Sequence, residues 1–142
     1  MSPSEVAASS YSLTDAQGQE RAKLCLVDQA PTLFFYDTHH HPRLQLGLTG
    51  DGLPRIFLHG LPAAVPTVKL ECDALGSHVL LSGGGRAQSY LFLKNEGGSG
   101  LVLFGADGQR QIEVLLAADG SARWTLWDPA GNVIASSNAT PA

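Results

Sequence analysis

The chain has 142 residues, enough for one domain with its own core, and 44% of them are hydrophobic, which excludes wholesale disorder. The net charge is -4 and the nine Lys plus Arg are scattered singly, so no basic track suits a nucleic-acid backbone or an anionic membrane surface. No apolar run approaches the roughly 20 residues of a membrane-crossing helix, and neither nucleic-acid binding nor membrane insertion is expected.

Residues 1–10 read as an N-terminal tail. They lack the basic segment and apolar run of a secretory signal. The localisation reading is cytoplasmic by default, and unassigned if the chain belongs to an exported assembly. From residue 11 a pattern begins. LTDAQGQERAKLCL (13–26) aligns with FYDTHHHPRLQLGL (35–48), matching Asp15 with Asp37, Arg21 with Arg43, Leu24 with Leu46 and Leu26 with Leu48. FLHGLPAAVPTVKL (57–70) puts His59 in the aspartate slot, and LLSGGGRAQSYLFL (80–93) puts Ser82 there. LFGADGQRQIEVLL (103–116) has Gly105, and LWDPAGNVIASSNA (126–139) returns to Asp128 before its second half turns polar. The slots stand at 15, 37, 59, 82, 105 and 128, at spacings of 22, 22, 23, 23 and 23. Six units at near-constant spacing are the mark of a tandem repeat.

The chemistry of one unit identifies it. Asp15 with Gly18, and Asp128 with Pro129 and Gly131, have the composition of a type I turn followed by a left-handed glycine. Gly85 and Gly108 fall in the same part of their units, and His40 stands there in unit two. Downstream, Ala22, Leu24, Leu26 and Ile112, Val114, Leu116 alternate with more polar residues, the period of a half-buried strand. Upstream, LFFY (33–36), IFL (56–58), VLL (79–81), LVLF (101–104) and WTLW (124–127) read as strands buried on both faces. A helix over 14–29 would have Gly18 in its interior and would break the register. The expected fold is therefore all-β: six tandem hairpins, twelve strands, in one domain over residues 11–137, with 138–142 a C-terminal tail. The hairpins form an open array or roll; a β-trefoil is the alternative closure.

Candidate sites are sparse. His39 and His41 sit two apart and, with His59 in the next turn slot, are the candidate metal ligands; a structural site generally needs four ligands, so a solvated hairpin tip is the preferred reading and no cofactor is expected. The Asp15–Arg21 and Asp37–Arg43 pairs recur with the hairpin, as a structural pairing across the turn would. Ser82 to Arg86 is glycine-rich but lacks the Lys-Ser/Thr of a phosphate loop, and reads as a permissive turn. Cys25 and Cys72 read as reduced, partly buried thiols. Tyr36, Phe104, Trp124 and Trp127 lie beside the turns, as packing residues or as a platform for a sugar ring.

The units resemble those of uncharacterised bacterial tandem β-hairpin repeat proteins, reading apolar-x-Asp-x-x-Gly-x-x-Arg-x-x-Leu. LTDAQGQERAKLCL is the best match, and the arginine slot decays to Val65, Gln88, Gln111 and Ile134 in units three to six. Tyr36-Asp37 and Trp127-Asp128 also resemble the Tyr-Asp hairpin repeats of bacterial toxin shells. The resemblance implies a non-enzymatic repeat protein and brings no catalytic residues. The expected role is that of a structural or scaffold protein, an oligomer or accessory subunit acting through protein partners or self-association. The alternative is a lectin-like module that binds glycan.

Overall fold

The computed structural model describes residues 8–60, 66–83 and 85–140. They form β1 (Ser10–Thr14), β2 (Glu20–Val27), β3 (Ala30–Tyr36), β4 (Pro42–Leu48), β5 (Pro54–His59), β6 (Pro66–Cys72), β7 (Gly76–Ser82), β8 (Gln88–Lys94), β9 (Ser99–Phe104), β10 (Arg110–Leu116), β11 (Ala122–Trp127) and β12 (Val133–Ala139). Each strand pairs antiparallel with its sequence neighbours, giving one sheet in the order β1 to β12. Among the described residues β1 and β12 do not meet, so the sheet is an open array of six hairpins rather than a trefoil. Strand pairing takes in Ser10, which lies opposite Cys25, and Asn138 and Ala139, which lie opposite Arg123 and Ala122. These three residues belong to the sheet, not to the tails expected from sequence.

The turn chemistry is the one expected. In unit one the Gly18 N–H donates to the Asp15 carbonyl at 3.0 Å and the Asp15 N–H to the Gln19 carbonyl at 2.9 Å. The same pair of bonds recurs at Asp37, Gly105 and Asp128. Gly18 takes φ 79°, where a side chain would be strained, and His40 accepts φ 60° in the equivalent place. The fourth tip includes Gly84, outside the described residues.

A bulge follows each of these turns. Leu13 lies opposite Ala22 and Thr14 opposite Glu20, leaving Arg21 with no partner across the ladder. Arg43, Gln111 and Ile134 are extra residues of the same kind. The arginine slot of the repeat is thus the bulge residue, released from the pleat and able to reach back over its own turn. In unit three the bulge falls on Thr67, because His59 pairs with Pro66 and Leu58 with Val68. The longer loop displaces the slot from Val65, which lies outside the described residues. Unit four has no bulge: Ser82 pairs with Gln88 and Leu81 with Ser89.

The freed arginines tie adjacent tips together. Arg21 Nε and Nη2 both lie 2.7 Å from Asp15 Oδ2, while Nη1 donates to the Asp37 carbonyl at 2.7 Å. Arg43 repeats this one unit on, gripping Asp37 Oδ2 at 2.8 and 2.6 Å and donating to the Gly60 carbonyl. A planar fork with a third donor is required, and lysine does not supply it.

At the far ends the chain turns again. Asp28 and Gln29 form a two-residue turn with φ 51° and 65°. Neither is the Asn or Gly that advertises this turn in a sequence.

The sheet is a single layer. The apolar runs expected to be buried on both faces are covered on one only: Phe35, Leu58, Leu81 and Trp124 remain 40–46% exposed. No second layer exists among the described strands to cover the other face. Among the described residues only Ala22, Ala30, Thr32, Gly76, Val102 and Glu113 are buried.

Two stability predictions follow from these turns. Arg43→Lys should lower the melting temperature nearly as far as Arg43→Ala, since charge alone does not join the two tips; a lysine variant as stable as wild type would contradict the latch. Gln29→Gly should raise unfolding stability by about 1 kcal/mol in urea titration by relieving a left-handed non-glycine.

Candidate functional site

Residues opposite one another on an antiparallel ladder share a face. One row runs Tyr11, Leu24, Leu33, Leu46, Ile56, Leu70, Val79, Leu91, Leu101, Val114, Trp124 and Ser137. The row beside it runs Leu13, Ala22, Phe35, Leu44, Leu58, Val68, Leu81, Ser89, Leu103, Ile112, Leu126 and Ala135. A third row includes Leu26, Cys72, Leu93 and Leu116. None of these rows contains Asp, Glu, Lys, Arg or His. Of the large hydrophobic side chains left exposed among the described residues, all but Leu75, Val133 and Ile134 lie on this leucine face. At its centre is an open groove of about 550 Å³ lined by residues including Leu46, Ile56, Leu70, Val79 and Leu91.

The opposite face has another composition. One row reads Lys23, Phe34, Gln45, Phe57, Lys69, Leu80, Tyr90, Val102, Glu113 and Thr125. The next includes Thr32, Gly47, Arg55, Glu71, His78, Phe92, Gly100 and Arg123. Here side chains cover one another within the layer. The Arg55 guanidinium and the Lys69 ammonium each sit 5.4 Å from the centre of the Phe57 ring, where the π-face attracts a cation. Phe92 lies so close over Gly100 that a Cβ there would come within 2.7 Å of its ring. Tyr90 stacks on Phe92 at 5.5 Å. Glu113, 4% exposed, is held by Arg110 and by Arg123 Nη2 at 2.9 Å. The Phe92 ring over Gly100, the cations over Phe57 and the paired Glu113 give this mixed face its own cover. The leucine face has none.

The histidine-rich tip comes together only in part. His39 and His41 stack with ring centres 6.1 Å apart, and His40 stacks on Tyr36 at 4.4 Å. His41 Nδ1 lies 3.5 Å from Asp37 Oδ2. Both ring nitrogens of His59 are buried without a hydrogen-bond partner among the described residues. No group of three or more His, Cys, Asp and Glu side chains among the described residues is arranged to hold a metal ion. Asp37 anchors the tip: its Oδ1 accepts the His39 and His41 N–H groups at 2.8 and 3.0 Å. The His41 N–H does most to hold its carboxyl well below the usual carboxylate range; partial desolvation opposes this, and the His39 N–H and Arg43 add to it. Asp15 is lowered in the same way, led by the Gln19 N–H.

The four aromatic candidates do not share one platform. Trp124 belongs to the leucine face, while Tyr36, Phe104 and Trp127 are on the mixed face. Tyr36 and Phe104 are six strands apart, roughly 29 Å at the usual interstrand spacing. Phe104 lies opposite Arg110, whose guanidinium is 5.8 Å from the Trp127 ring. Cys25 and Cys72 are free, half-buried and on opposite faces. The sequence reading missed the leucine face as a site. The signal was present in Leu24/Leu26 and Val114/Leu116, read there only as strand periodicity, and in Leu101/Leu103, read within a strand buried on both faces.

No protein-family model matches the chain, and no curated protein matches it.

Asp37 generates a pH prediction. A carboxylate held below its ordinary value of 3.8 contributes stability that is complete above that value and is lost as pH falls through it toward the depressed one. Wild type should therefore lose stability faster than Asp37→Asn on acidification from about pH 4 to pH 2. Parallel melting curves across that range would show that Asp37 carries no such linkage.

Proposed function

We propose that the chain is a non-catalytic structural repeat protein, a building block whose sheet is completed by another protein surface within an assembly. The observation that carries this reading is the charge-free leucine face, exposed across the full width of the sheet. Apolar surface left in water on this scale marks an interaction surface rather than a finished exterior. The repeat supports the reading too, since each hairpin contributes the same short segment of one continuous surface.

The test combines mass with dye binding. Light scattering after size exclusion should give a multiple of 14.9 kDa, with a melting temperature that rises with protein concentration. A monomer that binds 1-anilinonaphthalene-8-sulfonate strongly would keep the reading, its face still awaiting a partner. A monomer that binds none of the dye would sink it, because the face would then be covered within the chain.

A further inference from the structure

We infer that the partner of the leucine face is a second copy of this chain, packed face to face so that two single-layer sheets become one sandwich. The inference rests on the structural reading above and names its partner.

Three observations single out a second copy. The first is charge. The face offers no Asp, Glu, Lys, Arg or His to a foreign partner, and charge complementarity is a principal way of choosing one. The same absence removes repulsion between like copies, although the chain carries a net charge of -4. The charged strand residues Lys23, Arg55, Lys69 and Glu71 project from the other face and are left uncovered when two leucine faces meet, and Glu113 is paired with its two arginines on that same side.

The second is area. Fourteen large hydrophobic residues of the leucine face are 39–70% exposed, and at roughly 200 Å² a side chain they offer on the order of 1,000 Å² of apolar surface per copy. Covering that surface on each of two copies reaches the roughly 2,000 Å² at which obligate homodimers, the most apolar of interfaces, begin.

The third is where the apolar surface lies. A pair joined edge to edge would engage β1 or β12. β1 has five residues, and β12 presents Ala135, Ser137 and Ala139 where other strands present leucines. Edge pairing would leave the leucine face in water. Face packing covers it and places side chains of both sheets in one core about 10 Å thick. The central groove along Leu46, Leu70 and Leu91 gives that core its depth.

The experiment uses the full chain with two sets of variants. Leu70→Glu and Leu91→Glu place a charge at the centre of the leucine face, and Gln45→Glu places one on the mixed face. Sedimentation velocity should give a dimer for wild type and Gln45→Glu, with the dimer's dissociation constant raised at least about thirtyfold, toward monomer, in the two leucine variants. In case those variants fail to fold, single cysteines at Leu46, Leu70, Leu91 and Gln45, in a chain with Cys25→Ser and Cys72→Ser, test the same geometry. A short bismaleimide spanning the about 10 Å between packed sheets should join the leucine-face thiols into dimers and leave the Gln45→Cys chain single.

An oligomer that keeps its mass in both leucine variants and cross-links through the mixed face would overturn the face-to-face dimer but leave the structural reading standing. A monomer that binds the dye, or that floats with neutral phosphatidylcholine vesicles, would overturn the dimer, the second outcome assigning the face to lipid. A monomer indifferent to dye and vesicles would overturn the dimer and the structural reading together.

Discussion

A single-layer sheet has two faces and no interior, so each face must find its own cover. This constraint governs the molecule. On the mixed face the cover is internal: the Phe92 ring lies over Gly100 with Tyr90 stacked on it, cations sit on the Phe57 ring, and two arginines hold Glu113. Leucine cannot do the same for leucine in one layer. A branched aliphatic side chain stands off the sheet and touches its row neighbours only along its flanks, leaving its end in water. The difference between the faces is therefore a matter of side-chain shape as much as polarity.

The tips provide the second organising element. A type I turn with a left-handed fourth residue leaves one residue too many on the returning strand, and the bulge absorbs it. That extra residue escapes the pleat. Where it is arginine, as at Arg21 and Arg43, it reads the carboxylate of its own turn and the backbone of the next. The turn, the bulge and the latch are consequences of one backbone geometry. Units five and six keep the bulge and lose the latch. Gln111 lies over Gly105, and Asn132 donates to Asp128 in place of an arginine. The bulge is thus set by the turn, and the arginine is an addition to it.

Much of this was legible in the residues. The spacing of Asp15, Asp37 and Asp128 located hairpin tips, and the alternation after each tip located the returning strands. The Asp–Arg pairs read correctly as links across a turn. Their second bond, to the carbonyl of the next tip, was not readable, because it depends on how closely neighbouring hairpins stand. The Asp28-Gln29 turn was hidden because its second residue, Gln29, stands where glycine is usual and is not a common left-handed former. The upstream runs read as buried on both faces because an apolar run fits a doubly covered strand as well as a singly covered one.

The sequence by itself determined the repeat, the hairpin as its unit and the all-β class, since turn composition and strand period are local properties of the backbone. Only the tertiary structure decided that the hairpins lie side by side in one open layer, because ladder register and closure depend on contacts between strands distant in the chain. That register brought the leucines of successive units onto one uncharged face. No single hairpin displays such a surface.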